Sequence, residues 1–272
     1  MRRMRALLGT YVEIAATGPD ATEFDKGRLE HAIGQAFDAV ELVHRLMSPH
    51  CLGSDLSRIN RSAWRRPVEV HPWTARTLRW ALAVHAATGG LFDCAVGHEL
   101  GRWGMVSDCG FEAAEPGSLA DLEVTPDGSV RLARRLGLDL GGIAKGFAVD
   151  RAIAALRRHG VRAAIVNAGG DLRVMGPEPQ PVYIRDPAEP RALRLAGLLA
   201  NGAIATSRAG ALIGMRDRAP LRSVGSCSVV APRCVLADAL TKAVAQSGPA
   251  DAPWLARFGA TALITAPAAQ AA

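Results

Sequence analysis

The segment Asp139-Leu-Gly-Gly-Ile-Ala-Lys-Gly146 holds the strongest local chemistry in the sequence. A glycine pair ahead of a helical run lets backbone amides approach a phosphate, and the helix N-terminus adds a favourable dipole. Lys145 places a point charge one turn in. The segment is not a Walker loop: Ala144 precedes the lysine where that loop needs glycine, and no Ser or Thr follows it. Taken alone, it reads equally well as a tight strand-to-helix turn with a solvated lysine.

Three other segments could carry chemistry. In Asn167-Ala-Gly-Gly-Asp171 the aspartate could hold a hydroxyl or a metal, or it could close an Asx-type turn. In Ala237-Asp238-Ala-Leu-Thr-Lys242 the aspartate could cap a helix or pair with Lys242 at i, i+4 on a surface. It could also be a carboxylate ligand for Mg²⁺, which prefers oxygen donors and substrate phosphates. Gly90-Leu-Phe-Asp93 reads by itself as a core Phe followed by a turn Asp. The 7 histidines form no HxxxH or HExxH pair, which leaves a histidine metal site unsupported. Ser207 and Ser226 lie in no nucleophile elbow.

Composition narrows the partners. The formal charge is +6, yet the basic residues fall as singles and pairs with no aromatics interleaved, so nucleic acid is not expected as a partner. Of the 32 basic residues only Lys26, Lys145 and Lys242 are lysine. A lysine is a compact charge that an arginine fork does not replace, so two lysines inside the singled-out segments are informative. The 5 cysteines are odd in number and contain no CxxC, which argues for reduced thiols. No signal peptide, lipoprotein cysteine or membrane span is read from the sequence, so a cytoplasmic protein is expected.

The elements that position these segments follow from periodicity. A strand is expected over 7–15, a helix over 26–47 with Leu29, Ile33, Phe37, Val40, Val43 and Met47 on one face, and a loop from Ser48 through Asn60. Helices are expected over 74–88, 143–159 and 235–247, and a hairpin turn at Pro126-Asp127-Gly128. Strands are expected over 163–166, 181–185, 202–206, 226–231 and 260–265, the last after a short helix. Helices and strands mix without a steady βαβ rhythm, which gives an α+β class, mixed sheets with packed helices in a single compact unit over 1–265. The tail 266–272 should fray.

In this order the segments resemble the FAD:protein FMN transferases, the ApbE-type family. Leu8-Gly9-Thr10 resembles the family's Met-Gly-Thr. Residues 46–60, from Leu-Met-Ser to Ser-Arg-Ile-Asn, resemble its "MS-x-y…dSe-x-s-x-x-N" segment. Thr88–Gly97 resembles "t-x-G-x-F-D-p-t-v-G", and Asp139–Asp150 resembles "D-l-g-G-I-a-K-G-y-a-v-D". Asn167–Asp171, Ala205-Thr206-Ser207 and Ala237–Leu240 resemble "n-a-G-G-d", "a-T-S" and "A-D-A-L".

The resemblance implies an enzyme that cleaves FAD and moves FMN to a threonine hydroxyl of an acceptor flavoprotein, releasing AMP, with Mg²⁺ neutralising the pyrophosphate. The alternative is a weak or inactive FAD-binding accessory protein of the same family. It implies that Leu8, His50, Leu91, Phe92, Asp93, Asp139, Lys145 and Ile213 line the FAD site. It also implies that the Gly142 carbonyl and the Asp238 carboxylate hold the metal, and that Asp238 and Lys242 carry the catalysis. Five positions depart from the family pattern. Lys242 stands in place of a threonine metal ligand, Leu212 in place of a histidine, Met215 in place of an aspartate, His50 in place of a tyrosine and Leu8 in place of a methionine.

Overall fold

A β-hairpin opens the chain, β1 (Arg2–Leu7) and β2 (Thr10–Thr17), turning at Leu8 and Gly9 with φ of 57° and 68°. The left-handed backbone at a leucine is unusual, and it is held where the Leu8 amide donates to His44 Nδ1 at 3.2 Å. Next come α1 (Glu23–Met47), α2 (Asp55–Ser62), α3 (Pro72–Ala87) and α4 (Gly97–Arg102), then a small hairpin of β3 (Leu122–Val124) and β4 (Val130–Leu132). The remainder runs α5 (Ala144–Arg158), β5 (Ala163–Ala168), β6 (Asp171–Met175), β7 (Gln180–Arg185), β8 (Leu193–Leu199), β9 (Ala203–Arg208), β10 (Ser226–Ala231), α6 (Cys234–Ser247) and β11 (Thr261–Thr265). This computed structural model describes residues 1–18, 23–104, 111–186, 189, 191–208, 212–221, 226–248 and 252–265, so the expected fraying of 266–272 lies outside the described residues.

Seven strands make one sheet in the order β1-β2-β5-β6-β9-β10-β11, antiparallel at every pairing. One face carries the helices: α1 runs along α5, α5 along α6, and α6 lies on β9 and β10. Val12, Ile14, Val166 and Val229 of the sheet meet Phe37, Val40, Phe147, Ile153, Leu240 and Val244 in the main core. Each such side chain contributes about 1.5–3 kcal/mol by leaving water. The other face is covered by the β7–β8 hairpin over Leu172, Val174 and Ile204. Alternation along β6 feeds both layers: Leu172 and Val174 point to the hairpin, while Met175 joins the helix side.

The α+β class stands, and several element boundaries shift. The expected loop through Asn60 contains α2, capped by Ser54, whose Oγ accepts from the Ser57 amide at 3.0 Å. At eight residues, with only Leu56 and Ile59 as large apolar anchors, the segment is too short for its pattern to mark a helix. The strand expected over 7–15 is two strands, because β1 is an edge with no buried face and so shows no alternation. The strands β6 and β8 were not expected. In β8 a register shift between Val182 and Tyr183 of its partner breaks the pattern. Asn167-Ala-Gly-Gly-Asp171 does close a hairpin, with the Gly170 amide donating to Asn167 Oδ1 at 2.9 Å. No helix among the described residues is long and apolar enough to cross a membrane. Cys51, Cys94, Cys227 and Cys234 are free thiols.

Candidate functional site

The approach of α5 to α6 builds the floor of the site. A Cβ on Gly146 would sit 2.3 Å from the Cys234 carbonyl oxygen and 2.7 Å from Asp238 Cβ, so the crossing requires glycine. Helix α6 has no capping side chain of its own. Asp150 of α5 supplies it, accepting from the amides of Cys234 and Val235, each at 3.1 Å, while Arg173 pairs with the same carboxylate at 2.5 Å. This cap leaves Asp238 free for another role, one turn further along α6.

Asp238 is fully buried and accepts from the Gly146 amide at 2.9 Å on one oxygen. Its other oxygen takes the Lys242 ammonium, which also donates to the Asp238 main-chain carbonyl at 2.9 Å. Burial alone would raise this carboxyl, but the charges of Lys242 and Lys145 outweigh it and hold the group below the ordinary carboxylate range. The i, i+4 pair is therefore real, though it lies in the interior rather than on a surface.

Lys145 reaches from the first turn of α5 to Asp171 at 3.1 Å, with the Gly141 carbonyl at 3.4 Å. The charge of Asp238, ahead of the opposing burial, raises its ammonium above the ordinary lysine value. Burial and the Asp238 charge together push Asp171 up to about 6. Two lysines and two aspartates thus share one buried cluster, contributed by α5, α6 and the β5–β6 turn.

Above this cluster lies a cavity of about 370 Å³. Leu91, Phe92, Val96, Leu100 and Trp103 form one apolar wall, and Leu212, Ile213 and Met215 form another; Lys145, Lys242 and the Asp139–Gly142 loop supply the polar end. Such a space accepts a ligand with a flat apolar part and an anionic part.

Each wall is fixed from behind. The Asp139 amide donates to the Cys94 carbonyl at 2.8 Å, and its Oδ1 accepts from the Gly141 amide at 2.6 Å. Burial raises the Asp139 carboxyl despite that bond and the charges of His50 and Lys145. Asn60 grips Leu138 in both directions, its Nδ2 donating to the carbonyl at 3.0 Å and its Oδ1 accepting from the amide at 2.9 Å. Asp93 turns into its own loop, accepting from Ala95 at 2.7 Å and from Leu119 at 3.2 Å, with His85 Nδ1 at 3.4 Å.

The expected residues divide accordingly. Leu91, Phe92, Asp93, Asp139, Gly142, Lys145, Ile213 and Lys242 converge on the cavity. Asp238 sits beneath it. His50 is exposed and does not line the cavity, though it lies near enough to act electrostatically on Asp139. Leu8 packs against the main core at the β1–β2 turn and does not line the cavity.

Sequence reasoning missed two organisers. Gln246, one turn past Lys242, donates to the Leu91 carbonyl and accepts from the Met215 amide, both at 2.6 Å, so it ties the two apolar walls together. Arg218 donates to the carbonyls of Ala95 at 3.1 Å and Gly117 at 2.6 Å. The i, i+4 spacing of Gln246 from Lys242 was the only available signal for the first; Arg218 had none.

These residues do not fit the Mg²⁺ that the resemblance implies. Both oxygens of Asp238 are engaged, one by an amide and one by an ammonium. The hydroxyl of Thr241 donates to the Asp238 carbonyl at 2.7 Å and meets Ser207 Oγ at 2.7 Å, so it faces β9. No group of three His, Cys, Asp or Glu poised for a metal is found among the described residues. Unit charges about 4 Å apart repel by roughly 4 kcal/mol at an effective dielectric of 20, so a dication beside the ammonium would cost roughly twice that.

A model described as the ApbE family matches residues 8–264. Over 215 residues the chain is 34% identical to a FAD:protein FMN transferase of Rhodobacter capsulatus, covering 69% of this chain and 41% of that protein. Over 164 residues it is 28% identical to one from Treponema pallidum, covering 53% and 44%. The chain thus spans less than half the length of these relatives. Among solved structures, the flavin transferase ApbE of Vibrio cholerae superposes with a TM-score of 0.81 at 21% identity, covering 98% of this chain and 93% of that one. The ApbE protein of Thermotoga maritima does so with 0.80 at 23% identity, covering 98% and 97%. These two likenesses are of fold.

Proposed function

The chain belongs to the ApbE family, and on that premise we propose that it is a FAD:protein FMN transferase. It cleaves the pyrophosphate of FAD and passes FMN to a threonine hydroxyl of an acceptor flavoprotein, with release of AMP. The observation that carries this reading is the pair of ammoniums, Lys145 and Lys242, at the polar end of a cavity with two apolar walls. A flavin ring suits the walls of Leu91, Phe92 and Ile213, and a pyrophosphate suits the lysines.

In the reaction the threonine oxygen forms a bond to the FMN phosphorus, and the bond from that phosphorus to the AMP oxygen breaks. The hydroxyl proton is lost and AMP leaves as the anion. Lys145 and Lys242 offset the charge that collects on the bridging oxygen, the kind of positioned electrostatics on which phosphoryl-type transfers depend. Asp139 orders the glycine loop beside them, and Asp238 and Asp171 hold both lysines in place.

Purified chain incubated with FAD and a threonine-bearing acceptor should release AMP and leave flavin fluorescence on the acceptor after denaturation. FAD recovered intact, with a colourless acceptor, would remove the transferase reading. FAD bound tightly but uncleaved would leave the accessory role in its place.

A further inference from the structure

We propose that Lys242 serves as a cation built into the site, so that this chain binds the pyrophosphate of its nucleotide without a divalent metal. The proposal rests on the reading of the cavity as an FAD site.

The ammonium of Lys242 spends two of its three N–H groups on one residue, the carboxylate and the main-chain carbonyl of Asp238. The side chain is therefore pinned rather than a free tether, and one N–H remains for a ligand. Its stem passes Gly142, with Cε 3.4 Å from where a Cβ of that residue would lie, and lines the cavity. Lys145 has the same form, anchored on Asp171 and the Gly141 carbonyl. Two ammoniums, each seated on a buried aspartate, thus face one cavity, positioned to donate to the oxygens of a pyrophosphate diester.

The Asp238 carboxylate that would hold a dication is already engaged. One of its oxygens takes an amide and the other an ammonium, and the Thr241 hydroxyl bonds Ser207 and the Asp238 carbonyl. Composition points the same way. In a sequence with 29 arginines and three lysines, the charge beside Gly142 is one of the lysines, a compact point charge that an arginine fork does not replace.

The test is FAD affinity of the full chain, read by flavin fluorescence in EDTA and in millimolar Mg²⁺. The two values should agree within about twofold. Lys242→Gln should weaken binding about ten- to a hundredfold in both buffers, the worth of one charge-assisted contact. Because that variant strands the buried Asp238, the paired variant Asp238→Asn with Lys242→Gln is measured beside it and should show the same loss.

A third measurement needs no variant. Mn²⁺ added to the wild-type FAD complex should give no immobilised electron paramagnetic resonance signal beyond that of free FAD. Affinity that rises tenfold or more with Mg²⁺, or Mn²⁺ immobilised in the complex, would overturn the built-in cation while leaving the FAD site standing. FAD binding in neither buffer would overturn both.

Discussion

The two faces of the central sheet are held by different physics. On the hairpin face, Leu172, Val174, Val182, Ile184 and Ile204 form a small apolar layer without charged groups among its described residues, and the outer surface of β8 is open to solvent. On the helix face the core is larger, yet it encloses Asp150, Asp171 and Asp238, each answered by a cation or by backbone amides. A layer made of area alone loses stability in proportion to what is removed. A layer that encloses charge loses far more when one partner goes, because the other is left unpaired in a poor solvent. The face that carries the candidate site is therefore the face that is expensive to alter.

The largest effect should come from breaking the charge pair on the helix face. Lys242→Met leaves a fully buried carboxylate without its ammonium, and should cost about 3–5 kcal/mol in urea unfolding. Adding Asp238→Asn removes the stranded charge, so the double variant should recover much of that loss, a non-additivity expected of contacting residues. If the single and double variants were equally unstable, the pair would not be the feature that distinguishes this face.

Next in size is the α5–α6 crossing. Gly146→Ala drives a methyl into the Cys234 carbonyl, and overpacking of this kind costs about 1–3 kcal/mol or more. The helices must part to relieve it, so if the cavity takes FAD as proposed the variant should also bind it more weakly. A Gly146→Ala protein as stable and as tight-binding as the wild type would show that the crossing yields easily.

The contrast between the faces also explains what could be read from sequence. Helices α1, α5 and α6 bury one full face over 14 residues or more, so their period is plain, and the loop ahead of α5 announces itself by glycines and a lysine. The hairpin face was obscure, because β6 is buried on both sides and β8 is exposed nearly throughout, so neither alternates cleanly. Within the site, Asp139, Lys145 and Lys242 were legible by type. The roles of Asp150 and Asn60 were not, since each acts on backbone 78 or more residues away, a distance set by topology. Leu8 was expected in the site by position in a motif, and its turn instead packs on the core.

A smaller effect should appear only as a slope with pH. The folded value of Asp171 is raised to about 6 from 3.8, so the folded state holds that proton more tightly than the unfolded chain does. Its contribution to stability is complete below the unfolded value and is lost as pH rises through about 6. Asp171→Asn removes this component, so thermal melting of wild type relative to the variant should fall between about pH 4 and pH 6.5. A constant difference would mean that Lys145 compensates Asp171 fully.

The smallest effects belong to the hairpin face, and they test whether its stability is area alone. Ile184 is buried in that layer, and Ile184→Val should cost about 0.5–1.5 kcal/mol, the worth of one methyl and a little space. Leu198, on the same hairpin, is 69% exposed. Leu198→Ser should change unfolding stability by no more than about 0.5 kcal/mol, as surface substitutions do. Unequal costs in that order would place the layer between β6, β9 and the hairpin, with nothing gained from its outer surface. A Leu198→Ser loss as large as that of Ile184→Val would instead mean that the outer surface of β8 is buried in solution, and the two faces would no longer differ in kind.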